Sequence, residues 1–153
     1  SCLHVQTSSS KISTLIKVLR LFTYFPNKKG LDLLNSEFYV EPPSEVLVLK
    51  NICYHEELLV DEEYTEIVKD MEIEASKFGT VIKIKIPRFD PKSKENFGLG
   101  NVYIRFANVN QSKNARRDLV KRLFRKRIVE ACYHGLGKFL SDDFQLRSNY
   151  MYH

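Results

Sequence analysis

The hexapeptide Val81-Ile82-Lys83-Ile84-Lys85-Ile86 sets isoleucine and lysine at alternate positions. Alternation with a period of two is typical of a strand that buries one face and exposes the other. Pro87 follows and closes the run, because proline removes a backbone donor from the ladder. The sequence therefore predicts a half-buried strand over residues 81–86, with a basic outer face.

A helical repeat of apolar residues precedes this strand. The spacing predicts a helix over residues 57–78 that ends at Gly79, a residue favoured just beyond the last turn. Its apolar face is formed by Leu58, Tyr64, Ile67, Val68, Met71, Ala75 and Phe78. The same stretch is strongly acidic, with nine carboxylates and one basic residue between Glu56 and Glu74. Such a helix repels phosphate and attracts a basic peptide.

Further elements flank this pair. Short apolar or alternating runs predict strands over residues 46–49, 101–106 and 127–133. In the second of these runs, Tyr103 and Arg105 face away from the core. Asn108 followed by Gln111 is typical of a capping box and opens a second helix, which buries Ala115 and Leu119. A short last helix is predicted within residues 135–144, with the packing residues Phe139, Leu140 and Phe144.

The order of these elements is strand, helix, strand, strand, helix, strand. Two split βαβ units in this order predict an α+β fold of the ferredoxin-like type. Its four-stranded antiparallel sheet carries two helices on one face, and a short C-terminal helix is added. We assign this domain to residues 44–146, with tails at 1–43 and 147–153.

The N-terminal tail contains an apolar repeat of its own. Helical spacing relates Ile12, Leu15, Ile16, Leu19 and Phe22. One interpretation is an amphipathic helix packed on its own domain. The other is a segment that binds a partner or a second copy of the chain, which leaves self-association through this tail open.

Composition excludes several classes of protein. The net charge is +5, and three cysteines and four histidines show no metal-ligand spacing. An odd cysteine count without a framework favours a reducing compartment, the cytosol or nucleus. No apolar run reaches the roughly 18 residues of a membrane span. No catalytic constellation or nucleotide-binding glycine loop is present, so we predict a protein that is not an enzyme and holds no metal or cofactor.

The predicted layout is that of RNA recognition motifs, which stack bases on aromatic residues of the two central strands. Val48 and Asn101 stand at two of the three stacking positions, and Tyr103 alone remains. Each stacked base contributes about 1–3 kcal/mol, so RNA binding by this face is expected to be weak. Tyr103, Arg105, Lys83 and Lys85 are the candidate RNA contacts. The alternative function is therefore single-stranded RNA binding by the sheet, and otherwise this basic face is merely solvated.

Several motifs together resemble the U2AF homology motif, a variant RNA recognition motif of pre-mRNA splicing factors. They include Pro43-Ser44-Glu45-Val46-Leu47, Glu56-Glu57-Leu58-Leu59 and Asp61-Glu62-Glu63-Tyr64. The most specific is Arg122-Leu123-Phe124, which is similar to the family's Arg-x-Phe loop before the last strand. The resemblance extends from Pro43 to about Phe144, roughly two thirds of the chain.

The resemblance implies a protein ligand. Partners of the family carry a basic peptide ending in tryptophan, which inserts between the two helices against the loop phenylalanine, here Phe124. It implies a peptide site made of Arg122, Leu123, Phe124, Glu57, Asp61 and Glu62. Glu57 and Asp61 are four residues apart and are expected to share a helical face. Arg122 is expected to pair with an acid of the first helix or to frame the indole.

The resemblance also implies partners and a compartment. The partners are the branch-point-binding protein and the largest subunit of the branch-site-binding particle core, in the nucleus. The polypyrimidine tract of pre-mRNA would be bound by other domains of the full protein. Thr65 and Lys69 stand where the family continues its acidic stripe, and Glu62, Glu66 and Asp70 are the acids that could substitute.

Overall fold

The computed structural model describes residues 22–24, 41–50, 52–120, 122–124 and 127–146. Residues 12–21 of the helix predicted over residues 12–22 lie outside these ranges, as does the tail at 147–153. The strands are β1 Phe22–Tyr24, β2 Val46–Lys50, β3 Val81–Lys85, β4 Val102–Phe106, β5 Arg122–Phe124, β6 Arg127–Ile128 and β7 Glu130–His134. The helices are α1 Asp61–Ala75, α2 Val109–Leu119 and α3 Leu136–Leu140, with a 3-10 turn at Glu56–Leu58 before α1.

Four strands form the main sheet in the order β3-β4-β2-β7. Every neighbouring pair is antiparallel, and Leu47 lies opposite both Ile104 and Tyr133. The elements β2, α1, β3, β4, α2 and β7 follow one another in the predicted order. The predicted α+β class and the RNA-recognition-motif arrangement are therefore confirmed.

The two faces of the sheet bury two separate cores. One core lies between the sheet and helices α1 and α2, around Leu47, Ile104, Phe106, Met71 and Leu119. The second lies on the opposite face, under the C-terminal segment, and contains Val46, Val48, Tyr103, Cys132 and Phe139. Because both faces of β2 are covered, its first four residues are all buried, as expected of a central strand.

Strand β3 departs from strict alternation at its start. A bulge lies between Val81 and Lys83, where the pairing with β4 shifts register. Ile82 is consequently exposed, whereas Ile84 and Ile86 are buried in the first core. The extra residue of a bulge is left out of the ladder, which accounts for an exposed isoleucine in this strand.

The long acidic helix predicted over residues 57–78 is interrupted. Glu56–Leu58 is a 3-10 turn, Val60 is extended with φ −97° and ψ 122°, and α1 begins only at Asp61. Arg88 donates from Nε to the carbonyl oxygen of Leu58 at 2.7 Å, which satisfies a carbonyl freed by the break. The helix also ends at Ala75 rather than near Gly79, because Phe78 closes an i→i+3 turn onto the Ala75 carbonyl.

The start of α2 follows the predicted capping box. The Asn108 side chain accepts a hydrogen bond from the Gln111 backbone N–H at 3.0 Å. The Gln111 side-chain oxygen in turn accepts from the backbone N–H of Thr80 at 3.0 Å and of Ala107 at 3.3 Å. Ala115 and Leu119 are buried as predicted. The cap therefore also fastens α2 to the start of β3.

A second, three-stranded sheet has the order β1-β5-β6. It corrects three predictions. Arg122-Leu123-Phe124 is a strand rather than a loop, because it pairs with β1 on one side and β6 on the other. Phe22 lies in strand β1 and not in the helix that its spacing predicts. The predicted strand over residues 127–133 is divided at Val129 into β6 and β7.

The C-terminal segment packs across the sheet. Helix α3 is shorter than the predicted 135–144, and Phe139 is its buried residue. Phe144 packs against the second core, as predicted, whereas Leu140 is 58% exposed. Lys138 of α3 pairs with Glu41 at 3.3 Å, which ties the segment to the chain just before β2.

Candidate functional site

Tyr103, the aromatic residue predicted to stack RNA bases, is inaccessible. Its side chain is fully buried, and its hydroxyl donates a hydrogen bond to the Phe144 carbonyl at 2.6 Å. Its ring packs against the rings of Phe144 and His134, with centroids 4.8 and 5.2 Å apart. In this structure Tyr103 offers no accessible ring face to a base, because residues 136–146 cover this face of the sheet.

The basic residues of the same face are largely engaged. Lys85 donates to the Phe139 carbonyl and pairs with Asp142, both at 2.7 Å, and its ammonium lies 4.4 Å from the Phe139 ring centroid. Arg105 pairs with Glu45 at 3.3 Å. Lys83 is the one of the four candidate RNA contacts whose side chain is exposed. The positive charge of this face thus mainly holds the C-terminal segment and the start of β2.

His134 anchors the same segment. One ring nitrogen, Nε2, lies 2.6 Å from the Asp143 carbonyl oxygen. Burial lowers the pKa of His134 below its ordinary value, although the bond to Asp143 opposes the shift. A buried neutral imidazole donates to this carbonyl, so the covering segment is held without a buried charge.

The predicted acids Glu57 and Asp61 lie at the start of α1 and have local partners. The Glu57 carboxylate accepts a hydrogen bond from the Tyr54 backbone N–H at 3.0 Å. Asp61 pairs with Arg88 at 2.8 Å, and the Arg88 guanidinium also lies 4.6 Å from the Tyr64 ring centroid. Since the break at Val60 separates them, Glu57 and Asp61 do not belong to one continuous helical face.

Arg122 lies at the opposite end of α1. Its guanidinium pairs with Glu74 at 2.9 Å, and Glu74 also binds Lys77 at 2.6 Å. The Phe78 ring centroid lies 6.0 Å from the Arg122 guanidinium carbon. Arg122 therefore pairs with an acid of the first helix, one of the two arrangements expected from the sequence. Leu123 is half-buried, and Phe124 is the last residue of strand β5.

The structure does not bring all predicted peptide-binding residues together. Asp61 and Glu74 are thirteen residues apart on α1, which corresponds to about 20 Å at a rise of 1.5 Å per residue. Glu57, Asp61 and the exposed Glu62 are thus remote from Arg122. The acids on the Arg122 side of the helix are Glu66, Asp70 and Glu74, whose i, i+4, i+8 spacing places them in one row. This spacing is visible in the sequence, and Glu74 is the member of the row that pairs with Arg122.

Asp70 is the unusual member of this row. It is 9% exposed, and its Oδ2 has no hydrogen-bond partner among the described residues. Burial raises the pKa of Asp70 above its ordinary value, and the neighbouring Glu66 adds to the rise. A buried carboxylate with an unused oxygen is costly by itself, and a cationic group would relieve that cost.

The part of the chain that the structure describes contains neither a metal-binding cluster nor a membrane-spanning helix. No group of three or more histidine, cysteine, aspartate or glutamate side chains there is arranged to hold a metal ion. No helix among these residues is long and apolar enough to cross a membrane.

Comparison with known proteins finds splicing factor U2af large subunits among the relatives of this chain. The chain is 34% identical over 102 residues to a splicing factor U2af large subunit of Triticum aestivum, covering 67% of this chain and 19% of the relative. It is 35% identical over 102 residues to the protein of that name from Oryza sativa subsp. japonica, with the same coverage. The domain is homologous to part of the U2af large subunit.

The homology to the U2af large subunit extends to Arabidopsis thaliana, whose protein of that name is 33% identical over 103 residues, covering 67% of this chain and 18% of that protein. The chain thus spans about a fifth of the length of the curated relatives it matches. No family model matches the sequence. Among solved structures, an RNA15 RNA recognition motif aligns with a TM-score of 0.41 and 25% identity, over 67% of this chain and 98% of the other.

Proposed function

We propose that this U2af-homologous domain is a protein-recognition module of a nuclear pre-mRNA splicing factor, and that it binds short basic peptides containing tryptophan. The observation that carries the proposal is the row Glu66, Asp70 and Glu74 beside Arg122, in which Asp70 keeps an unused buried carboxylate oxygen. A lysine or arginine of a bound peptide would pair with this acidic row. The domain itself would act without catalysis.

The covered sheet supports a protein ligand over RNA. Base stacking requires an accessible aromatic face, and Tyr103 is enclosed by Phe144 and His134. The same C-terminal segment engages Lys85. Because Tyr103 and Lys85 are engaged in this way, the sheet face offers few groups that could bind single-stranded RNA.

The tryptophan and the basic residues of the peptide would contribute differently to binding. An indole buried against Phe124 would contribute most of the binding free energy, because aromatic side chains bury a large area at low entropic cost. The peptide's basic residues would pair with the acidic row of α1 and fix its direction. Charge complementarity of this kind raises the association rate and specificity more than the affinity.

The partners proposed are those of the family that the sequence resembles. They are the branch-point-binding protein and the largest subunit of the branch-site-binding particle core, both bound in the nucleus during recognition of the 3′ splice site. In the full protein, other domains would hold the polypyrimidine tract. These assignments rest on the homology to U2af large subunits and on the acidic row beside Arg122.

The test is a calorimetric titration with a basic peptide containing tryptophan, and with the same peptide carrying alanine instead. Phe124→Ala is expected to weaken binding of the first peptide at least thirtyfold, about 2 kcal/mol, since it removes the aromatic contact of the indole. The matched control is Phe89→Ala, because Phe89 is 50% exposed and lies next to His55, beside the far end of α1. The proposal would be contradicted if Phe124→Ala bound the tryptophan peptide as tightly as wild type does. It would also be contradicted if the wild-type domain bound the alanine peptide as tightly as the tryptophan peptide.

Asp70→Asn is expected to raise stability and lower affinity together. Since the folded-state pKa of Asp70 lies above its ordinary 3.8, ionisation destabilises the fold by an amount that grows as the pH rises through 3.8 and is complete above the folded pKa. The variant should therefore be more stable than wild type at pH 7, and this advantage should disappear as the pH falls below 3.8. Denaturation across this pH range measures it.

The same variant should bind the basic peptide about tenfold more weakly, because a charge-assisted hydrogen bond is lost. Glu62→Gln is its control, since Glu62 is an exposed acid near the remote end of α1. If Glu62→Gln weakens the peptide more than Asp70→Asn does, the peptide lies at the start of the helix and the acidic row is not its site.

A further inference from the structure

Strand β5, which carries the Arg-x-Phe tripeptide, has neighbours along both edges. One edge pairs with β6, only three residues along the chain, through Leu123–Ile128 and Phe124–Arg127. The other edge pairs with β1 through Phe22–Phe124, Thr23–Leu123 and Tyr24–Arg122. The second neighbour thus comes from a distant part of the chain, ahead of the main domain.

We propose that this outer edge of β5 is a strand-addition site, which residues 22–24 occupy and which an extended partner segment takes when they leave. The identity of that partner, a basic peptide, rests on the proposed function. Residues 22–24 then act as an internal competitor, and the affinity of the site depends on how often they are paired.

The pairing of β1 is short and entropically costly. It consists of three residue pairs, and Tyr24 and Arg122 are 98 positions apart in the sequence. Closing a longer loop costs more chain entropy, and a strand paired along one edge gains few compensating contacts. Strand β2, in contrast, is paired with both β4 and β7 and is buried on both faces. Strand β1 is therefore the neighbour of β5 that opens at the least cost in free energy.

The position of β5 suits a peptide that also needs the acidic row. Arg122, opposite Tyr24 in the register, is held by Glu74 on α1. A chain added along this edge therefore runs next to the Arg122–Glu74 pair. Its backbone would bond to β5 while its basic side chains reach Asp70 and Glu66. Main-chain bonding gives affinity to such strand addition, and alternate side chains give specificity.

The competition has a simple quantitative form. The apparent affinity is the intrinsic affinity multiplied by the fraction of molecules whose site is open. If β1 is paired in about nine of ten molecules, the peptide binds about tenfold more weakly than to an open site. Any event that removes residues 22–24 from the edge would then activate binding by that factor.

The test compares the full chain with its Thr23→Pro and Thr23→Val variants. Proline removes the central backbone donor of β1 and disfavours pairing, whereas valine keeps a β-branched side chain and the strand. We expect Thr23→Pro to bind the basic tryptophan peptide about tenfold more tightly than wild type, with Thr23→Val unchanged. Amide exchange at residues 122–124 should accelerate in the proline variant alone, and the thermal midpoint of the domain should not fall.

The outcomes separate this inference from the proposed function. Failure of all three proteins to bind the peptide would overturn the proposed function, and unaltered exchange at residues 122–124 would by itself overturn the strand pairing. Equal affinities for wild type and Thr23→Pro, with exchange accelerated, would overturn the competition. A wild-type dimer in sedimentation that Thr23→Pro abolishes would also overturn it, because β1 would then pair with a second copy.

Discussion

Replacing Tyr103 by alanine is expected to lower the free energy of unfolding by about 3–5 kcal/mol, the range found when a large buried ring is removed from a core. Tyr103 is fully buried in the second core, and its ring contacts Phe144 and His134. The substitution removes the support on which residues 136–146 rest. Urea denaturation followed by circular dichroism measures the loss.

Tyr103→Phe is the matched control for this change. It keeps the ring and removes the hydroxyl that donates to the Phe144 carbonyl, so a loss of only about 1 kcal/mol is expected. An exposed tyrosine that binds RNA bases would behave in the opposite way. Both variants would then keep wild-type stability, and Tyr103→Ala would weaken binding of single-stranded RNA.

Gly100→Ala is expected to cost about 2–4 kcal/mol, because two separate effects add at this position. Gly100 has φ +81°, a conformation that residues with a side chain rarely adopt. A Cβ there would approach the Cys53 carbonyl oxygen to 2.6 Å. The Gly100 carbonyl also accepts hydrogen bonds from the backbone N–H groups of Ile52 and Cys53, both at 2.9 Å, so the close approach cannot relax easily.

Gly137→Ala should change stability in the other direction. Gly137 lies in α3, and an added Cβ would meet no atom within 4 Å. Removing the extra backbone freedom of glycine from a helix is expected to raise stability by about 0.5–1 kcal/mol. Thermal unfolding of the two variants should therefore shift the midpoint in opposite directions. An unchanged or higher midpoint for Gly100→Ala would mean that the Gly100 turn is not constrained as described.

Much of the fold follows from local patterns in the sequence. The alternation around Tyr103 and Arg105 identified their shared face of the sheet, and Asn108 with Gln111 identified the start of α2, because these patterns depend on near neighbours. The break before α1 could not be predicted in this way. Val60 offers no side-chain cap, and the carbonyl of Leu58 is satisfied by Arg88, thirty residues further along the chain.

The surroundings of Arg122 could be predicted only in part, because they also depend on residues that are distant in the sequence. Arg122 was expected to meet an acid of the first helix, but the sequence alone did not say which turn of the helix lies beside it. That choice depends on where the chain crosses α1 after α2, a matter of tertiary packing. The exposure of Tyr103 likewise depended on residues 136–146, which the alternation within a strand does not describe.

The covering of the second core also governs the chemistry of Cys132. This free thiol lies in the cluster beneath Phe139, and burial raises its pKa to about 12. At pH 7 the thiol therefore stays protonated, and its burial leaves a reagent no path to it. Alkylation of Cys132 is therefore expected only in molecules in which the C-terminal segment has moved off the sheet. The rate of Cys132 alkylation would therefore measure how often this segment opens, without an added label.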